Sequence, residues 1–373
     1  MSDLSRSVAI VGVAESDEIG KIENKSNLQL HAEAAYNAIE DAGMEASDID
    51  GIITAGTSTL NTAEFMGLTN IKYTDSTAVG GSSFEIHIAH AMAAINAGYC
   101  ETVLVTHGEA GRSARNRPGP NLSDPASQYE IPYGFIGMPI NYSMACMRYM
   151  HLYGEERTRQ ALAEIAVSTR KWAIKNPKAY MKDPMTFDDY HESRWISWPF
   201  HLFDCCLVTD GGGAYIVTKK EIANTLPKKP VWVLGVSEGH DHGIISQMPD
   251  LTRTTARNTG PAALKMSGLT HDDIDLAMIY DSFTITVLMS LEALGFCKIG
   301  EGKDFVKKYN PHILSAYLEK TFDPNCIPGK AAWCRKNLGL SGAKVNLVRR
   351  RDKQNFAMNA GQPCILIDDY DKN

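Results

Sequence analysis

One helix–turn–strand statement occurs twice in this chain, far apart, and that recurrence narrows the architectures open to it. The first copy reads Ala38-Ile-Glu-Asp-Ala-Gly43-Met-Glu-Ala-Ser-Asp48-Ile-Asp50-Gly-Ile-Ile53. The second reads Ala263-Leu-Lys-Met-Ser-Gly268-Leu-Thr-His-Asp-Asp273-Ile-Asp275-Leu-Ala-Met278. Gly43, Asp48 and Asp50 return as Gly268, Asp273 and Asp275, each 225 positions on. In both copies an Ala-rich amphipathic helix stops at a glycine, whose missing Cβ permits a left-handed cap. An acidic turn then feeds an apolar strand. Repetition at so long a period predicts a duplicated α/β half rather than a solenoid.

Composition sets the outer limits. A chain of 373 residues can bury a large core and hold two domains or two fused halves. A net charge of −7 argues against a nucleic-acid or anionic-membrane partner, since either selects a basic face. No apolar run approaches the roughly 20 residues that span a bilayer. The run Val8 to Ala14 is too short for a signal peptide's apolar region. The eight cysteines are scattered, with no Cys-x-x-Cys pair, and read as reduced thiols of a cytoplasmic protein.

The pass along the chain has a βαβ rhythm. Val8–Val13 and Glu101–Thr106 read as buried strands, Gly51–Thr54 as another, with helices over about 27–42 and 82–97 between them. Ser26 or Asn27 fits the first helix's N-cap. This rhythm predicts parallel pairing. Residues 108–198 break it with Pro-rich turns and polar helices, and read as a cap inserted into the first half. Gly211–Thr218 returns to sheet, and Val231–Val236 opens a second half of helix, strand and helix ending near Phe296. The expected domains are therefore 1–225, 226–305 and a divergent tail, 306–373.

Several stretches together resemble the thiolase superfamily, specifically its sterol-carrier and lipid-transfer branch. They include Val8-Ala-Ile-Val-Gly, Val79-Gly-Gly-Ser-Ser83, Arg148-Tyr-Met-His-Leu-Tyr-Gly154 and Ala163-Glu-Ile-Ala-Val-Ser-Thr-Arg170. The most specific are Trp198-Pro-Phe-His-Leu-Phe-Asp-Cys-Cys206 with Thr209-Asp-Gly211, and Tyr280-Asp-Ser-Phe-Thr284 with Leu291-Glu-Ala-Leu-Gly-Phe-Cys297. The resemblance covers about Val8 to Phe305. It implies an α/β fold, a five-layer αβαβα sandwich of two similar halves, usually dimeric, which is what the internal repeat would produce.

A thiolase carries its acyl group on a cysteine thiolate, activated at a helix N-terminus. Here Gly80-Gly-Ser-Ser83 enters such a helix, but the family's nucleophile position falls at about Ala78. The family's Gly-His-Pro histidine and its C-terminal Cys-x-Gly-Gly motif are also missing. Claisen chemistry through an acyl-cysteine is thereby disfavoured. Tyr280 stands where thiolases carry the Asn or His of an Asn-Glu-Ala-Phe-like motif. One subgroup of this branch uses a Tyr-Asp-x-Phe tyrosine for retro-aldol cleavage of a β-hydroxyacyl-CoA, which needs no covalent cysteine. On this reading Tyr280 is a proton donor, or a base if its pKa falls well below about 10. Asp281 orients a neighbouring loop or helix. The N–H groups of Gly80, Gly81, Ser82 and Ser83 receive the enolate oxygen. The structural alternative has Tyr280 capping a strand and Asp281 capping a helix.

Other features weigh less. His87 and His90, at i and i+3, read better as structural than as functional. His240-Asp-His242 reads as a solvated loop, there being no further ligand set for a metal. Cys205-Cys206 reads as a pair of buried small residues. His107-Gly-Glu-Ala-Gly-Arg112 follows a strand, where α/β proteins often bind ligands, or else forms a solvated turn. Basic residues spread over 148–194 could meet CoA phosphates, without a spacing that selects one.

After Phe305 the character changes: Lys307–Pro311 and Phe322–Pro328 form elements poorly, and Val348-Arg-Arg-Arg-Asp-Lys353 is basic. Only Cys364–Asp368 reads as a strand. The expectation is that the reading frame was lost near Val306. Overall the sequence implies an enzyme acting on acyl-CoA thioesters in lipid or sterol side-chain metabolism, acyltransferase or carbon–carbon lyase. It implies no cofactor beyond the coenzyme A thioester, a homodimer, and an OB-fold zinc-ribbon partner protein. The competing reading is a non-catalytic acyl-CoA-binding or scaffold subunit.

Overall fold

The computed structural model describes residues 4–114 and 123–309, with four short strands nearer the C-terminus. The chain divides into two compact units, Met1–Ser315 and Ala316–Asn373, and both expected halves lie inside the first. In the second, Leu347–Arg349 pairs in parallel with Ile367–Asp369, and Met358–Asn359 pairs antiparallel with Gln362–Pro363. The expected frame change and most of the tail lie outside the described residues.

The first unit is built on a six-stranded sheet. Its strands are β1 (Val8–Glu15), β2 (Gly51–Ala55), β3 (Tyr73–Thr77), β4 (Thr102–Ala110), β7 (Asp210–Lys219) and β8 (Val231–Trp232), in the order β3-β2-β4-β7-β1-β8. A two-stranded ribbon, β5 (Trp195–Ser197) with β6 (Phe200–His201), stands apart. Parallel pairing holds for β2 with β3 and with β4. It fails for β1, because β7 returns from the long excursion and inserts antiparallel between β4 and β1.

Helix α1 (Asn27–Ala42) starts at a Ser26–Gln29 capping box, in which Ser26 Oγ accepts from the Gln29 N–H and Gln29 Oε1 from the Ser26 N–H. Its Ala34, Ala35, Ala38 and Ala42 pack with Ile52, Leu104 and Ile216 on one face of the sheet. Helix α3 (Ser83–Asn96) packs Ala91, Met92 and Ile95 against Ile53, Val103, Val105 and Val217 on the other. Successive strand residues thus alternate between two buried faces, which explains their unbroken apolar runs. Between β2 and β3 lies α2 (Thr59–Phe65).

The excursion holds α4 (Pro125–Tyr129), α5 (Met138–Tyr153), α6 (Glu155–Ala173) and α7 (Phe187–Glu192). The short α8 (Lys220–Ala223) follows β7, and α9 (Ala256–Ser267), α10 (Thr284–Ala293) and α11 (Gly302–Tyr309) complete the unit. Residues of α5, α6 and α10 share one core around Tyr149, Leu162, Phe200, Ile285 and Leu288.

The repeat is structural as well as textual. Gly43 and Gly268 end α1 and α9 in the left-handed conformation, with φ of 69° and 73°. Three-residue helical turns follow at Ala46–Asp48 and His271–Asp273. Each is closed by its aspartate, Asp48 on the Glu45 N–H at 2.8 Å and Asp273 on the Thr270 N–H at 2.9 Å. A Cβ on Gly12 would lie 2.3 Å from the Ala38 carbonyl, and one on Gly235 would lie 2.1 Å from that of Ala263. Each half therefore presses a glycine, Gly12 in β1 and Gly235 just beyond β8, against the corresponding turn of its helix.

One local expectation is corrected. Residues 274–280 form no strand, and β8 stops at Trp232. Leu276, Met278 and Tyr280 are 49%, 60% and 41% exposed while Ala277 and Ile279 turn inward. The segment keeps the alternation of a strand, but no described residue supplies the neighbouring ladder that would define one.

Candidate active site

The site is set by two sequence blocks that lie about eighty residues apart and are pinned together. Asp204, fully buried, accepts from Thr284 Oγ1 at 2.6 Å, from Tyr190 Oη at 2.8 Å and from the His201 N–H at 2.7 Å. Burial pushes its carboxyl up against these donors. The Cys206 N–H donates to the Ser282 carbonyl at 3.1 Å, and Cys205 bridges to Phe283. Phe283 in turn stacks on Tyr142 at 4.3 Å and Phe200 at 5.3 Å. These contacts fix the strand-like segment that ends at Tyr280.

Tyr280 then lands on the glycine loop. A Cβ at Gly81 would fall 2.1 Å from Tyr280 Oη and 2.5 Å from its Cζ. The phenol thus occupies the space that a side chain at position 81 would need. Gly80 takes φ of +67°, which turns the chain from β3 through a short helical turn (Gly80–Ser82) into α3. The N–H groups at this turn have no intrahelical acceptors. The structure therefore brings together Gly80, Gly81, Ser82, Tyr280 and Asp281, which the sequence names from two separate motifs. Ala78, at the end of β3, is exposed beside them.

Electrostatics separates the roles open to these groups. Burial, with Tyr142, Cys206, Asp281 and Glu85 nearby, raises the Tyr280 phenol above its ordinary value. It is therefore a neutral donor at neutral pH, and the alternative of a tyrosinate base is disfavoured. Desolvation by the surrounding protein also raises the carboxyl of Asp281, although the residue keeps contact with solvent. Glu85, in the first turn of α3, is raised by the same cause. None of the five described cysteines is activated. Burial pushes Cys100, Cys205 and Cys297 up to about 12 and Cys146 higher still, and raises Cys206. No acyl-carrying thiolate is available among the described residues.

Cys206, Glu85 and Tyr142 are neighbours of Tyr280 that the sequence reading did not place in the site. For Glu85 a signal exists: it lies four residues after Gly81, on the same side of a helical turn. Cys206 is exposed and Cys205 only half-buried, so they are not the buried pair that the sequence suggests.

The remaining candidates disperse. His87 is buried, its Nε2 paired with Thr77 Oγ1 at 2.9 Å and its pKa lowered to about 4 by burial. His90 sits between Asp75 at 2.5 Å and Glu238 at 3.0 Å. The i, i+3 spacing therefore does not give them a shared ligand. His242 pairs with Asp241. His107 packs on Phe84 at 4.9 Å and on the buried His31 at 5.8 Å. Arg112 lies over the ring of Tyr180, and Arg159 over those of Trp195 and Trp198. The described residues contain no group of three or more side chains suited to hold a metal ion, and no helix long and apolar enough to cross a membrane.

Comparison with known proteins agrees with this frame. The Thiolase C-terminal domain-like family model matches residues 237–313. A steroid side-chain-cleaving aldolase of Thermomonospora curvata is 35% identical over 335 residues, covering 84% of each chain. A 17-hydroxy-3-oxo-4-pregnene-20-carboxyl-CoA lyase of Mycobacterium tuberculosis is 32% identical over 320 residues, covering 81% of this chain and 82% of its own. Among solved structures, an Ltp2-ChsH2(DUF35) aldolase matches with a TM-score of 0.75 at 34% identity, over 82% of this chain and 81% of that one. This chain belongs to the thiolase superfamily of acyl-CoA enzymes, in its sterol-carrier-protein thiolase-like branch.

Proposed function

We propose that this chain is an acyl-CoA aldolase that cleaves a carbon–carbon bond of a β-hydroxyacyl-CoA in sterol or lipid side-chain metabolism. The observation that carries this reading is the phenol of Tyr280 seated on Gly81, beside a Cys206 whose thiol burial raises rather than activates. The names of the two curated relatives support the same reaction class.

In the proposed reaction, the Asp281 carboxylate takes the proton of the β-hydroxyl. The Cα–Cβ bond then breaks, a ketone or aldehyde leaves, and the electron pair moves into the thioester as an enolate. N–H groups at Gly80 to Ser82 receive the developing oxyanion. The Tyr280 phenol protonates the α-carbon, and the proton held by Asp281 returns to the phenolate, so the site ends as it began. No thiolate and no cofactor beyond the thioester enters this balance. Resemblance supports a homodimer, and the neighbour named as an Ltp2-ChsH2(DUF35) aldolase supports a second, DUF35-type chain in the working enzyme.

The test is turnover of a β-hydroxyacyl-CoA, with such a partner chain present, followed by release of the carbonyl fragment. Tyr280→Phe should lower kcat by about 10²- to 10⁴-fold, the usual contribution of a positioned proton donor. Full activity in Tyr280→Phe would defeat the reading. Binding without turnover by the wild-type pair would favour a scaffold subunit instead.

A further inference from the structure

A second feature of the first unit lies apart from the glycine turn. It is a cavity of about 410 Å³, within the ordinary size range of small-molecule sites. Tyr129, Tyr133 and Phe135 enter it from α4 and the turn that follows, Met144 from α5, and Met248 and Leu251 from the segment before α9. Flat aromatic faces and two methionines suit a rigid apolar body, since thioether side chains adapt to its outline.

One polar group interrupts this lining. Glu130 is only 3% exposed, and its Oε1 accepts from the Ser246 N–H at 2.7 Å, tying the two ends of the cavity together. Among the described residues this is the one hydrogen bond its side chain receives. A buried carboxylate has about four acceptor positions, so a single N–H leaves it short of donors. A ligand hydroxyl reaching Glu130 would supply one.

The cavity also has a physical connection to Tyr280. Tyr142 stacks on Phe283 and is a neighbour of Tyr280. Leu251 packs on the same core as Tyr142, Ile279 and Phe283.

We infer that this cavity holds the apolar body of the thioester, a fused-ring skeleton carrying a hydroxyl remote from the reacting carbons, with Glu130 accepting from that hydroxyl. The inference rests on the aldolase reading above and adds to it the place where substrate breadth is decided. Glu130 and Met144 would then be specificity residues, not groups that touch the bond being broken.

The test uses the full chain and thioesters that cannot be cleaved, because they lack the β-hydroxyl. The probes are the CoA thioester of a ring-hydroxylated polycyclic acid, its deoxy analogue, and butyryl-CoA, with affinities measured by calorimetry. In the wild type the hydroxylated polycycle should bind at least about tenfold more tightly than butyryl-CoA. Met144→Trp, which fills the cavity, should bring that ratio towards one. Glu130→Gln keeps an acceptor for Ser246 and should reduce the hydroxy-to-deoxy ratio by about fivefold, since the oxygen left for the ligand hydroxyl becomes an amide NH2. Thermal melts establish that both variants fold, and the Gln variant stands alone if the Trp variant does not. A ratio unmoved in a folded variant overturns the cavity assignment and leaves the aldolase reading intact. Failure of all three thioesters to bind the wild type overturns both.

Discussion

Gly81 carries no side chain, and the phenol of Tyr280 fills the space where one would be. Gly81→Ala is therefore a displacement mutation: the new methyl and the Tyr280 ring cannot both keep their positions. Gly81 does not adopt a positive φ, so the substitution should cost little stability while lowering kcat by about as much as Tyr280→Phe. Steady-state turnover beside a thermal melt checks both halves of that expectation. Gly80→Ala separates the effects, because nothing crowds its Cβ but its φ of +67° carries a strain of about 1 kcal/mol. The pH profile follows from two raised groups. Activity should fall as pH drops through the pKa of Asp281, which lies above the ordinary 3.8, because its deprotonated form is the base. The neutral phenol of Tyr280, raised above 10.0, should persist through the alkaline range, so a loss of activity between pH 8 and 10 would argue against its donor role. Both Tyr280 and the glycine turn are legible in the sequence because motif grammar marks chemistry. Cys206 and Tyr142 are not, since they reach Tyr280 through folding and carry no pattern of their own, whereas Glu85 is marked by its place one turn after Gly81.

At the scale of elements, each half has one tight approach of a glycine to its helix. Gly12→Ala and Gly235→Ala each drive a methyl into a helix carbonyl, at 2.3 Å and 2.1 Å, and should destabilise by about 3 kcal/mol. Chemical unfolding measures this, and a loss below 1 kcal/mol at both would remove the argument that these contacts set the packing of each half. The helices and their caps are legible because Ser26, Gly43 and Gly268 act locally. The strand expected at 274–280 is not, because a ladder depends on a partner, which local sequence does not describe. For the same reason the βαβ rhythm predicts the parallel β2 and β4 yet misses β3, whose residues read as a loop, and the antiparallel insertion of β7.

Across the molecule, buried aspartates do the joining. Asp210 is fully buried at the start of β7 and accepts from the N–H groups of Ile22 at 2.7 Å, Arg112 at 2.7 Å and Ser113 at 2.9 Å. Burial alone would raise its carboxyl, but these three donors hold it below 3.8. A depressed carboxylate contributes stability that is present above its unfolded pKa and lost as pH falls through the folded one. Asp210→Asn should thus cost about 3 kcal/mol at pH 7 and progressively less below pH 3.8. Urea unfolding across pH 2 to 7 shows whether the gap between wild type and variant closes in acid; a constant gap would contradict the charge argument. The duplicated architecture is legible at this scale because Gly, Asp and Asp recur at one offset, whereas hubs such as Asp204 and Asp210 appear only once distant segments meet.

The Asp204–Thr284 contact also sets an order of events during synthesis. On the ribosome the chain emerges N-terminus first. While it extends past Asp204 but has not yet released Thr284 and Phe283, the carboxylate lacks one of its three donors and the Tyr142–Phe200 surface lacks the ring that covers it in the finished protein. For that interval the nascent chain exposes an apolar, acid-lined face that it cannot cover itself, and it is then that a chaperone has something to hold.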